Sequence, residues 1–141
     1  MIVLLLLLIP IFAFGPAVAA QVAEQAAGAG IDLPEDMALP DRLKAVQALM
    51  AEGDYRARKI YETIGVYLGY AAAHYADFYD LRNILILGRC TSGQGGHLIL
   101  DGANAALAAE FPELAASINI QLPDEKSRRV GQSIAAASLP V

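Results

Sequence analysis

The spacing of apolar positions changes several times along the chain, and each change marks an element. Ala17 to Ala29 is alanine-rich and favours helix, because alanine gives up no side-chain freedom there, and Gly28 and Gly30 stop it. Ile31 to Pro40 carries two prolines and three acids and reads as a surface loop. In Asp41 to Glu52 the apolar residues Leu43, Val46, Leu49 and Met50 recur at helical spacing, and Gly53 ends that helix. Asp54 then caps a long helix running to about Tyr79, whose apolar stripe is Ile60, Ile64, Tyr67, Leu68, Ala71 and Tyr75. Gly65, Gly69 and Ala73 repeat every fourth position on one face of it. A face with almost no side chain lets another backbone approach closely, and the charged neighbours Arg58, Lys59, Glu62 and Asp77 make it a packing groove in water rather than in lipid.

The pattern then turns to strand. Asp80 to Arg82 is a turn, and Asn83 to Leu87 is a continuous apolar run whose length predicts a strand buried on both faces of a parallel sheet. A glycine-rich loop, Gly88 to Gly96, leads into a helix from about His97 to Glu110, which Pro112 punctuates. Ser117 to Leu122 alternates and predicts a second strand, and Asp124 caps a last helix to about Ser138. Strands separated by a helix predict a parallel pair and an α/β fold class, with short strands and packing helices.

Composition narrows the function classes. The 141 residues are 56 % hydrophobic and 18 % charged, which suits a packed core and excludes a disordered chain. A net charge of −5 argues against a nucleic-acid surface, which needs clustered Lys and Arg. One cysteine, Cys90, allows no intrachain disulfide or Cys-rich zinc cluster and fits a reduced, cytoplasmic setting. Met1 to Ala23 carries no charge. A secretory signal cleaved near Ala17 to Ala20, a membrane anchor over residues 1–20 and a buried or cut apolar start all fit it, although Pro10 and Pro16 break any straight helix and no basic residue precedes Arg42.

Candidate chemistry concentrates in the glycine loop. It leaves a strand and enters a helix, where glycines admit a ligand to the backbone and free N–H groups attract phosphate. Gly88 and Gly93 have the Walker spacing, but Gln94-Gly95 stands where Lys-Ser/Thr belongs, so a plain turn and a nucleotide contact both fit. Arg89 and Thr91 fit either a contact to phosphate or ribose or a solvated loop arginine and an ordinary turn threonine, and Cys90 reads as a buried inert thiol. His74 and His97 lie on different elements without metal-ligand spacing, and Asp77, Asp80, Lys126, Arg128 and Arg129 read as solvated charges.

The order and spacing from Gly15 onward resemble the carboxyl-terminal portion of the ROK family (repressors, open reading frames and sugar kinases). The likeness is carried by Glu62 to Ala71, Asn83 to Gly88 and Gly131 to Ala137. The resemblance implies an actin-like ATPase (ribonuclease H-like) lobe over residues 15–141, behind an apolar segment over 1–14. It implies ATP as the cofactor, with magnesium unassigned, and Gly88, Arg89, Thr91, Ser92 and Gly93 as the nucleotide-lining residues. It also implies a sugar substrate in a complete relative. The family's phosphate loop, catalytic aspartate and Cys-rich zinc motif have no counterpart in this sequence, and Gly88-Arg89-Cys90 replaces its consecutive glycines. The implied protein is thus a lobe without catalysis of its own, completed by a missing amino-terminal lobe or a second subunit. A non-catalytic regulator of the same family and a small membrane-attached or exported helical protein are the alternatives.

Overall fold

The computed structural model describes Ala20 and residues 22–124. Along the chain run α1 (residues 22–28), α2 (Leu39–Ala51), α3 (Tyr55–Ala76), β1 (Asn83–Leu85), a 3-10 turn (Arg89–Thr91), α4 (Gly95–Glu110), α5 (Pro112–Ser117) and β2 (Asn119–Gln121). The described part is mostly helical with a small two-stranded parallel sheet, broadly α/β. The predicted helix from Asp124 and the apolar segment of residues 1–14 lie outside the described residues.

The sheet pairs Asn83 with Asn119, Ile84 with Ile120 and Leu85 with Gln121. Two further bonds extend the ladder, from Asn119 N–H to the Arg82 carbonyl at 2.8 Å and from Ile86 N–H to the Gln121 carbonyl at 2.9 Å. Among the described residues only one face is covered. Ile84, Ile86, Ile118 and Ile120 are buried, whereas Asn83 and Leu85 are exposed. The expectation of a strand buried on both faces is therefore corrected: a continuous apolar run cannot say how many layers cover it, and here the outer layer is solvent.

Helix packing dominates the core. The most extensive contact joins α3 to α4. The small-residue face predicted on α3 is where they meet. A methyl built on Gly65 would lie 2.5 Å from the Ile99 carbonyl oxygen and 3.0 Å from Gly102 Cα. One on Gly69 would lie 2.8 Å from the Ala103 oxygen. This backbone-to-backbone crossing turns the buried face of α3 toward Tyr61, Gly65, Gly69, Ala72 and Ala73. Tyr67 and Tyr75, expected in the apolar stripe, are exposed instead.

Local signals set the ends. Asp54 accepts from the Arg56 amide at 2.8 Å and caps α3, as predicted. Arg56 also donates to the Gly30 carbonyl at 2.7 Å, tying the end of α1 to the start of α3. α3 stops at Ala76, short of Tyr79. Helix α4 starts at Gly95, two positions before His97, because Gly95 and Gly96 are close-packed helical residues rather than loop. Pro40 and Pro112 each stand in the first turn of a helix, where a missing N–H costs nothing; Pro40 thus belongs to α2, and Pro112 opens α5, a helix the apolar pattern does not mark.

Candidate functional site

The Gly88–Gly96 segment sits at the carboxyl end of the sheet, where β1 delivers the chain to α4. Its glycines do two different jobs. Gly88 (φ 113°) and Gly93 (φ 61°) hold left-handed backbone, and Gly93 has nothing within 4 Å of an added methyl. Gly95 and Gly96 are buried wedges: an added methyl would meet the Tyr61 ring at 2.6 Å or the Thr91 carbonyl at 2.8 Å. Close backbone approach to an outside group thus belongs to Gly88 and Gly93, while Gly95 and Gly96 serve the protein's own packing.

The predicted site residues separate in the same way. Gly88, Arg89, Ser92 and Gly93 are exposed along one rim. Thr91 is buried at 1 % exposure, and its hydroxyl donates to the Gly88 carbonyl at 2.7 Å. Its side chain holds the turn and is closed off from the surface, whereas the other four are exposed. Beyond the rim begins α4, whose first turn has amides with no carbonyl one turn back to bond. Among the described residues no side chain caps it. Gly95 and Gly96 of that turn are themselves buried, so it is the positive end of the helix dipole, behind the exposed Gln94 and His97, that favours an anion there.

Beneath the rim lie two groups from distant elements. Gln47 of α2 donates its Nε2 to the Arg89 carbonyl at 2.9 Å. Tyr61 of α3 is fully buried, and its hydroxyl makes no well-formed hydrogen bond. Burial pushes the phenol above its ordinary value; the nearby Gln47 amide tempers the shift and the Cys90 thiol adds to it. Cys90 itself is partly buried, and burial raises its thiol too, the condition of an inert cysteine. Neither Gln47 nor Tyr61 was singled out from the sequence; Tyr61 reads as one more residue of a helix, and a 42-residue separation hides the Gln47 contact.

His74 and His97 are exposed on separate helices, and Asp77 and Asp80 are exposed at the other end of the sheet. Among the described residues no group of three or more His, Cys, Asp or Glu could hold a metal ion. An open cleft of about 430 Å³ lies at that other end, where the strands begin, lined in part by Asp77, Phe78, Asp80, Arg82, Leu114 and Ser117. Among the described residues no helix is long and apolar enough to cross a membrane. No family model, no curated protein and no solved structure matches the chain.

Proposed function

We propose that the chain is the nucleotide-side lobe of a ROK-type, sugar-kinase-like protein with an actin-like ATPase (ribonuclease H-like) fold. In this reading Gly88, Arg89, Ser92 and Gly93 form the rim that meets the phosphates of ATP. The observation that supports it is the sequence of parts at the sheet's carboxyl end. A strand of a parallel pair passes through left-handed glycines into the first turn of a 16-residue helix, which among the described residues has no side-chain cap. Ligands in open α/β sheets collect at that end, and phosphate is matched by N–H groups, a guanidinium and a helix dipole.

Phosphoryl transfer also needs a general base and a metal held against an acceptor hydroxyl. These lie outside the rim, so the chain alone binds nucleotide without turnover, and a second lobe or subunit completes the site. A bare aromatic surface is consistent with such a partner. Tyr67, Tyr70, His74 and, just past the helix end, Phe78 line one side of α3, with Phe78 67 % exposed and stacked edge-on against His74 at 5.2 Å.

Titration of the isotope-labelled full chain with ATP, AMP and pyrophosphate tests the reading. ATP and pyrophosphate should shift the amides of residues 88–97, and nucleotide at ten times its Kd should stabilise the chain by about 1.4 kcal/mol. Arg89→Ala should weaken both ligands. Absence of any shift at 10 mM ATP, or shifts confined to the Asp80–Arg82 end, would refute it (the concentration is roughly the upper limit at which one phosphate site registers).

A further inference from the structure

We infer that Gln47, on a helix remote in sequence, is the positioning residue that sets the face the rim presents; this rests on reading the rim as a phosphate contact. Two carbonyls of the turn are held by the protein's own donors. Gly88 accepts from the Thr91 amide at 3.1 Å and from the Thr91 hydroxyl at 2.7 Å. Arg89 accepts from the Ser92 amide at 3.3 Å, a long bond, and from Gln47 Nε2 at 2.9 Å. In a trans peptide the carbonyl and the following N–H point in opposite directions. Holding the Arg89 carbonyl toward α2 therefore keeps its negative end away from an anion and turns the opposite edge of that peptide from α2.

Among the described residues, Gln47 is the one side chain that donates to the Arg89 carbonyl. Gly88 and Gly93 on either side of the turn have permissive left-handed backbones, and the Ser92 amide bond to the same carbonyl is long, so losing the Gln47 donor leaves the Arg89–Cys90 plane weakly held. A rotated plane would aim a carbonyl at the phosphate. Tyr61 acts differently. Its ring fills the space against Gly95, and although the Gln47 amide lies near its hydroxyl, among the described residues that hydroxyl makes no well-formed hydrogen bond.

The test uses the full chain and three variants: Gln47→Met, which keeps length and loses the donor; Gln47→Glu, whose carboxyl donates only when protonated; and Tyr61→Phe. Amide hydrogen-exchange protection is read at Thr91, Ser92 and Leu98, with Ile99 and Ala103 at the helix crossing as reference. Gln47→Met should lower protection in the turn about three- to tenfold, the value of one lost side-chain bond, and weaken pyrophosphate and ATP by a similar factor. Gln47→Glu should behave likewise at pH 7 and recover turn protection below about pH 4, a dependence that simple loss of packing does not produce. Tyr61→Phe should leave the turn unchanged. Unchanged turn protection in Gln47→Met overturns the inference, as does an equal loss at the reference amides or undiminished ligand affinity. If the turn loosens as described but the unmodified chain binds neither ATP nor pyrophosphate, the positioning role stands and the nucleotide reading falls.

Discussion

Replacing Gly65 by alanine pits two opposing effects against each other, and the structure decides which wins. In a helix interior the change should stabilise by about 0.5–1 kcal/mol, since glycine costs more backbone entropy than alanine. At Gly65 the new methyl would sit 2.5 Å from the Ile99 carbonyl oxygen and 3.1 Å from its carbon, both backbone. Comfortable contact requires roughly 3.5 Å, so α3 and α4 must separate by about 1 Å, a gap that forfeits a quarter to a half of each facing contact. Overpacking of this kind costs about 1–3 kcal/mol, and the rigid backbone on the far side places it in the upper half of that range. The net expectation is a loss of about 1–2 kcal/mol, read as a lower midpoint in urea with an unchanged slope by far-ultraviolet circular dichroism. Gly28→Ala is the control, with open space around it and no left-handed φ, and should gain a few tenths to about 1 kcal/mol. Gly65→Ala combined with Gly102→Ala should cost less than the sum, because each methyl would press on the other residue's backbone and one separation relieves both. A Gly65→Ala chain as stable as Gly28→Ala would show that the helices do not meet through their backbones.

Three further expectations concern Tyr61, Cys90 and Asp54. Tyr61→Phe removes a buried hydroxyl without a well-formed partner, so it should leave stability unchanged or raise it by up to about 1 kcal/mol in denaturant melts. Because burial raises the Tyr61 phenol and the Cys90 thiol, the unfolded chain loses those protons first; stability should fall as pH rises through the ordinary thiol and then tyrosine ranges, and Tyr61→Phe should flatten the upper part of that decline. Asp54 is lowered from 3.8 to about 2, first by the side-chain hydrogen bond from Arg56 and then by the Arg56 amide. Its stabilising contribution is therefore complete above the unfolded value and lost as pH falls from about 4 toward 2, and Asp54→Asn, which keeps a capping oxygen, should flatten that acid limb in a pH series of thermal melts.

Short-range signals were legible in the sequence. Asp54 as a cap, Gly53 as a stop, the apolar spacing of Leu43, Val46 and Met50, and the alternation around Ile118 and Ile120 each depend on a few neighbouring residues. The Gly65, Gly69 and Ala73 face was legible as a place of close approach, but its partner, Gly102 at the middle of α4, was not. What failed was anything set by the number of surrounding layers. Leu85 and Tyr67 look like core residues by type, yet each stands outside the last packed layer. At the rim, the sequence offered one glycine-rich loop in which Gly88, Arg89, Thr91, Ser92 and Gly93 stood together as candidate contacts. The structure divides them, because Thr91 lies within hydrogen-bond reach of Gly88 and Tyr61 occupies the space over Gly95.

That division bears on how a loop this rich in glycine keeps a shape. A segment with left-handed glycines at Gly88 and Gly93 has a large conformational entropy to lose, about 1–2 kcal/mol for each residue fixed, and more for glycine. The turn's internal bonds do not offset this alone, for each nets only about 1 kcal/mol in water. The remainder comes from residues fixed for other reasons. Tyr61 is set by the α3 core, Gln47 extends from α2 beside the buried Val46, and Gly95 and Gly96 belong to a helix anchored through Gly102. The shape of the rim is thus inherited from the helix crossing. Opening that crossing at Gly65, four positions along α3 from Tyr61, should loosen the rim before the fold is lost, whereas a change confined to exposed Ser92 should leave the crossing untouched.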